Sequence, residues 1–385
     1  MTVRTARVAA AADRADFSIG PARPGDDGAI RMLLRESPFG EEVALSLERE
    51  PDSALASSIE GDDHVALVAR HRSGSLAGIA SRAVRTAFVN GAPRSIAYLG
   101  QLRIDPRFRR HRGLLAAGFE YIRSIDGGPD GPRLYLASVV ADNTAARRLL
   151  ARRAAGWPAF EPVDTLVSLA IPVGGGRTRR APSGVECLRG SRERIDDIAS
   201  ILDRAGRRHQ FHPFWSRSDL LSPTRSRDLS PEDFIVAMRD GCVAGCVACW
   251  DQRAFKQAVV RRYSPRLARW RPIVNALAPL TGTPYLPAVG EALQFAYLSH
   301  LALDSGADSA ALSAMVRAAR AEAGRRGLRY VVLGLSAAHP LLPDLRRAFP
   351  HRAYESVLYV AFWPEGEALA SSLDGRPSHP ELAIL

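Results

Sequence analysis

Lysine is almost missing from this chain: of its 52 basic residues, Lys256 is the single lysine and the rest are arginines. Aromatic residues are also few, 7% of the total, and the arginines are scattered without a tail or a long run. A surface that binds nucleic acid interleaves cations with stacking rings, so this pattern argues against one, and the preference for arginine over lysine fits codon bias. Cysteine is scarce too. Four in 385 residues, none before Cys187, exclude a disulfide framework and leave the first half without a cysteine nucleophile. That half also lacks a G-x-S-x-G elbow. No apolar run approaches the roughly 20 residues of a membrane span. The opening MTVRTARVAAAADRADF is interrupted by Asp13, Arg14 and Asp16 before any apolar segment could act as a signal peptide. The expected compartment is the cytoplasm, with no membrane partner and no metal.

What is present is an excess of positive charge, +11, which favours an anionic ligand, and a length that suits two domains. An internal repeat divides the chain: AYLGQLRID at 97–105 matches AYLSHLALD at 296–304. In each copy a helix, an apolar strand (RLYLASVV from Arg133, RYVVLGLS from Arg329), a second helix and a closing strand follow. The stretch GGGRTRRAPSG, 174–184, has the composition of a linker. The expected organisation is two tandem copies of one fold, 1–173 and 185–385, the second carrying an insertion at about 252–293. The first copy is expected to run strand 17–21, helix 26–35, a short helix 41–50, then strands from His64, Leu76 and Arg94. An antiparallel start followed by strand, helix, strand, helix gives an α/β (α+β) architecture, a mixed, largely antiparallel sheet flanked by helices. In the helix after Gly113, Leu115, Phe119 and Ile122 form one apolar stripe, and in NTAARRLLARR the arginines face water. Cys242, Cys246 and Cys249 have a spacing seen in iron–sulfur enzymes, but FIVAMRDGCVAGCVACW has strand character. A strand would send Cys246 and Cys249 to opposite faces.

The fourth strand of the first copy ends in Asp105-Pro106-Arg107-Phe108-Arg109-Arg110-His111-Arg112-Gly113-Leu114-Leu115, after which a helix begins. A helix start offers unpaired N–H groups and a positive dipole end to an anion. Gly113 allows close backbone approach, and Arg109, Arg110 and Arg112 can fork onto phosphate oxygens. The segment resembles the signature of the GNAT acyltransferases: a strand, V-x-P, then Q/R-x-x-G-x-G/A at a helix start. Here Ile104-Asp105-Pro106 and Arg110 to Leu115 stand in those places, and DNTAARRLL resembles the family's next motif, in which an Asn, here Asn143, opens a helix against the coenzyme. The resemblance implies acetyl-CoA or another acyl-CoA as co-substrate, lying where the sheet splays. Leu102, Arg103 and Ile104 would bind pantetheine. Arg109, Arg110, His111, Arg112, Gly113, Leu114 and Leu115 would bind the pyrophosphate.

This sequence departs from the family pattern in the residues that do chemistry. Leu115 replaces a small residue, and the span from Pro106 to Gly113 is one residue longer than usual. Gln101 stands where many members have a carboxylate on the fourth strand; it cannot accept a proton but can hold a water that does. Leu150 stands where a tyrosine acid is usual, which leaves Tyr98 and Tyr135 as alternatives, each also readable as a half-buried strand tyrosine. The implied reaction is direct attack of an amine, on a small molecule or a peptide, on the thioester carbonyl. A non-catalytic acyl-CoA sensor and a transferase using aminoacyl-tRNA are the competing readings. In the second copy, Asp304-Ser-Gly-Ala-Asp308 replaces the arginine loop, so no coenzyme is expected there, and His300 takes the place of Gln101 as a core histidine or a pocket acid or base. Tandem members of the family include N-myristoyltransferases, whose C-terminal carboxylate acts as base; no such role is expected of Leu385. A homo-oligomer is compatible with the sequence.

Overall fold

A computed structural model describes residues 16–111, 113–174, 184–281, 285–305 and 309–385. Arg112, Asp308 and most of the expected linker, 175–183, lie outside the described residues. Fourteen strands are described: β1 (Phe17–Pro21), β2 (Val43–Glu48), β3 (Asp63–His71), β4 (Leu76–Val89), β5 (Ala92–Ile104), β6 (Tyr135–Val140) and β7 (Ala159–Pro172) in the first half. The second half holds β8 (Glu186–Arg189), β9 (Phe234–Arg239), β10 (Cys242–Trp250), β11 (Gln257–Tyr263), β12 (Phe295–Leu303), β13 (Tyr330–Ser336) and β14 (Arg352–Phe362).

The expected elements mostly form where their patterns place them. Asn90-Gly91 and Asp240-Gly241 both have positive φ and turn the β4/β5 and β9/β10 hairpins, as such pairs favour. Three expectations change. Within the expected helix 41–50, Val43–Glu48 form strand β2 instead, because VALSLE pairs with β11 of the insertion, some 210 residues away. The apolar side of helix Gly113–Asp126 is centred on Leu114 and Ile122, with Leu115 only half-buried. The insertion contains strand β11 as well as helix Pro265–Thr281. Cys246 and Cys249 do point to opposite sides of β10, into two separate cores, and are buried free thiols.

The largest revision concerns the two expected folds. Twelve strands form one continuous mixed sheet in the order β1-β3-β4-β5-β6-β14-β7-β13-β12-β10-β9-β8, with β2 and β11 apart as a two-stranded ribbon. The last strand of each half has crossed over: β14 lies against β6 of the first half, and β7 lies against β13 of the second. The registers relate the two sides. Ala97 sits opposite Tyr135, which sits opposite Ala361; Ala296 sits opposite Val331, which sits opposite Ile171. Ala361 and Ile171 are thus equivalent, 190 residues apart (361 minus 171), and Ser356 and Leu166 share that offset. Those two residues pair with each other, which marks the local two-fold of the sheet.

Packing follows the exchange. Val167, Leu169 and Ile171 of β7 are nearly or fully buried among second-half residues such as Val331 and Met315, whereas Leu358 and Val360 of β14 pack with Ile96 and Leu136 of the first. Each such side chain contributes about 1.5–3 kcal/mol, and neither half can collect that burial alone. Expressed separately, fragments 1–174 and 184–385 should therefore be insoluble or lack cooperative unfolding, and co-expression should restore a 1:1 complex. Gel filtration and circular dichroism read this directly, and a soluble, cooperatively folding first fragment would contradict it.

Candidate functional site

The site begins with a defect in β5. Its register against β4 slips between Ile79/Arg103 and Ser81/Gly100, and the residue at the slip, Gln101, has φ +54°. A bulge of this kind bends the strand and re-aims its side chains, and a non-glycine residue in the left-handed region costs about 1–2 kcal/mol. Near the slip, β5 parts from β6: the parallel pair is in register only at Ala97/Tyr135 and Tyr98/Leu136. From Leu99 onward the edge of β5 that faced β6 has no strand partner among the described residues, so its backbone groups are open to a ligand lying in the gap.

The loop after β5 closes one end of this gap. Asp105 caps the short 3-10 turn Pro106–Phe108, accepting from the Arg107 amide at 2.8 Å. Phe108 packs edge-on against Phe17 (5.6 Å) and beside His71 (5.1 Å), and the His111 ring joins them 5.1 Å from Phe17. That cluster sets the loop on the sheet and assigns the His111 ring to packing. Leu114 is buried below it, and its amide is taken by the His111 carbonyl at 3.3 Å. Arg107 pairs with Asp105, and Arg109 Nε reaches the Ile104 carbonyl at 3.3 Å. Arg110 is exposed with no carboxylate in ion-pair reach among the described residues, at the mouth of helix Gly113–Asp126. Leu102 is 42% exposed, and the Arg103 guanidinium folds onto the Leu102 carbonyl at 2.9 Å. Asn143 opens helix Thr144–Leu150, its side-chain oxygen accepting from the Ala146 amide at 3.1 Å.

The two tyrosines lie on opposite faces of the sheet. Tyr135 is buried against Trp363 and donates to Asp126 at 2.9 Å; Asp126 in turn binds Arg82. Burial and the Asp126 charge push its pKa up. Its hydroxyl is committed to that pair, away from the other candidates. Tyr98 is 2.8 Å from Ser138 Oγ and lines a small cavity with Arg85, Leu136, Phe211, Glu381 and Leu385. Burial raises its pKa as well, so it keeps its proton at neutral pH. The cavity measures about 10 Å³, room for one water.

Gln101 has a partner that pattern reading missed. Its Nε2 lies 3.4 Å from Oε2 of Glu60, a buried residue at the end of helix Ser57–Glu60. Glu60 also pairs with Arg49 and lies 3.2 Å from His64 Nε2. Burial would raise its pKa, but the charge of Arg49, the His64 ring beside it and the charge of Lys256 outweigh that and hold it far below the usual carboxylate range. The lone lysine sits in this group, its ammonium lowered to about 8 by burial and donating to the Ala383 carbonyl at 2.9 Å. A four-residue helix in DSALASSIEGDD carries no periodicity that would single out Glu60.

The second half repeats the geometry and fills it. β12 carries the same slip, with His300 at φ +53°, and parts from β13 after Tyr297/Val332. The chain itself runs into that opening. Glu381 accepts from the His300 amide at 2.6 Å, and Leu382 lies so close to Gly334 that a Cβ there would meet it at 2.8 Å. Arg85 donates to the Ile384 carbonyl at 2.9 Å, tying the same segment to the first half. His300 is fully buried between Trp215 (4.3 Å), Phe234 and Trp250, and burial lowers its pKa to about 3. It is a neutral core residue at any physiological pH.

No protein-family model matches the chain, and no curated protein sequence matches it. Solved structures do resemble it in fold. A GCN5-related N-acetyltransferase from Sphaerobacter thermophilus superposes with TM-score 0.57 at 17% identity, over 89% of this chain and 95% of that one. A GCN5-related glucosamine N-acetyltransferase region of a fungal multi-domain β-N-acetylglucosaminidase gives 0.58 at 14% identity, over 90% of this chain and 38% of that longer one. Saccharomyces cerevisiae N-myristoyltransferase with bound myristoyl-CoA gives 0.55 at 11%, over 90% and 82%. At these identities the likeness establishes a mixed α/β fold of GNAT-like topology.

Four more histidines meet where the halves join. His379 lies 5.2 Å from both His209 and His212, and His339 stacks on His209 at 6.4 Å. Burial lowers all four, His212 and His339 to about 4 and His379 well below its ordinary value. With His300, five histidines thus have folded values below the unfolded one near 6.5. As pH falls the unfolded chain takes up protons first. Their stabilisation is complete above pH 6.5 and is lost as pH drops through that value toward 4, each proton steepening the slope by about 1.4 kcal/mol per pH unit. Glu381 opposes this, since burial raises it to about 6 and its ionisation costs stability as pH rises from 4.5; it is one group against five. The melting temperature should fall steeply between pH 6.5 and 4.5, and a flat calorimetric profile there would refute the buried neutral cluster.

Proposed function

We propose that the protein is an acyl-CoA-dependent N-acyltransferase that transfers acetyl from acetyl-CoA to an amine, with the coenzyme in the gap between β5 and β6. One observation carries the reading: the strand that bulges at Gln101 and leaves its neighbour also feeds directly into an arginine-bearing helix start. An elongated ligand with a phosphate end and a reactive end fits that line, phosphates at Arg109, Arg110 and Gly113, pantetheine along Leu102 to Ile104, thioester near the bulge. The segments 1–173 and 185–385 are then two copies of one fold that have exchanged closing strands.

Bound acyl-CoA supplies an activated thioester, so the protein needs to position, desolvate and move protons. In this reading Gln101, steadied by Glu60, orients a water that takes the amine proton. Glu60 itself is a weak base because its partners hold it ionised. Tyr98, protonated at neutral pH, gives its proton to the departing thiolate. The acceptor enters from the cavity face, where the segment 380–385 must yield to admit it.

Binding of acetyl-CoA, measured by titration calorimetry, should weaken about tenfold or more in Gly113→Glu and about threefold to tenfold in Arg110→Ala. Tyr98→Phe should leave that affinity within about twofold and lower kcat by about 10²-fold, read as thiol release with an accepted amine. Unchanged affinity in both loop variants would remove the coenzyme site from this loop. Thiol release that no amine stimulates would leave a binding protein rather than a transferase.

A further inference from the structure

Helix Pro265–Thr281, in the insertion of the second half, leaves three large apolar side chains exposed. Trp270 is 52% exposed, Ile273 50% and Leu277 46%. At about 100° per residue these three, with Arg266 and Arg269, fall within about 100° of arc. The inner side carries Arg271 and Asn275, which bind the Leu286 carbonyl at 2.9 and 2.8 Å. That contact holds the segment from Tyr285 onward against the helix, adding Val289 (61%) and Tyr285 (39%) to the exposed apolar residues of the insertion. Isolated apolar residues at a surface are ordinary; several gathered on one helix and its companion loop are not.

Charge identifies what covers them. From residue 252 to 290 the sequence has seven cations and no Asp or Glu. Arg253, Lys256, Arg261 and Arg271 are engaged with Asp251, the Ala383 carbonyl, Glu48 and the Leu286 carbonyl. Arg262, Arg266 and Arg269 have no carboxylate in ion-pair reach among the described residues and are exposed. A second copy of this chain would bring the same cations together on a molecule already carrying +11, so self-association through this face is opposed. Exposed tryptophan, isoleucine and leucine beside unpaired arginines suit the boundary of an anionic bilayer, where the apolar side chains leave water and the cations meet lipid phosphates.

The geometry points to this helix as a docking face for an anionic phospholipid surface, on which the protein lies without crossing. No helix among the described residues is long and apolar enough to cross a membrane. The test uses the full chain with vesicles of phosphatidylcholine alone and of phosphatidylcholine mixed equally with phosphatidylglycerol. Co-sedimentation is expected with the anionic vesicles only, weakening as salt rises, with a blue shift of tryptophan emission that Trp270→Phe removes. The triple variant Trp270→Ser, Ile273→Ser, Leu277→Ser, all at exposed positions, should bind about tenfold or more weakly while keeping the parent melting temperature. Arg266→Gln with Arg269→Gln should flatten the salt dependence. Absence of binding to anionic vesicles, or equal binding by the triple variant, overturns the inference. So does a concentration-dependent dimer that the triple variant abolishes, which would assign the face to a second copy.

Discussion

The antiparallel pairing of β7 with β14 is the contact on which the remaining architecture rests. Each of these strands closes the opposite half, so the central hydrogen-bond ladder is also the point at which each core receives its last buried side chains. A break there would expose β7 and β14 as unpaired edges, costly in polar backbone and prone to association. The two halves share one sheet. The cavity beside Tyr98, lined from both halves, inherits its shape from that arrangement.

The same defect, set into the fourth long strand of each half, has two different uses. In the first half the slip at Gln101 leaves a gap with an arginine-bearing loop at one end and a partly closed cavity on the far face. In the second, the slip at His300 presents an amide that a glutamate side chain already occupies. The contrast follows from what surrounds each bulge: polar and ionised groups such as Glu60, Arg49 and Lys256 near one, tryptophan and phenylalanine around the other. A positive φ at a non-glycine residue persists only where neighbours over-determine it, and here both environments do so.

Much of this was legible in the sequence where the determinants are local. Asn90-Gly91 and Asp240-Gly241 fix their hairpins, the 97–105 and 296–304 segments align with strands that occupy matching positions, and Gly113 does begin a helix. What escaped is non-local. VALSLE at β2 becomes a strand because its partner lies in the insertion, beyond the reach of any window. The crossing of β7 and β14 is invisible because either strand would satisfy either neighbour by pattern alone. Glu60 escaped because its importance comes from Arg49, His64 and Gln101 meeting in space. Tyr98 and Tyr135 looked interchangeable as strand tyrosines; only the face each occupies, cavity or Asp126, tells them apart.

The segment that threads into the second opening has a further consequence. Because Glu381 and Leu382 are covalently part of the molecule, their local concentration at that opening is set by the chain and not by the solution. A diffusing competitor must also displace the contacts that Ala383 and Ile384 make with Lys256 and Arg85. The opening in the second half thus holds a piece of the chain itself, and those contacts fasten that segment beside the cavity of the first.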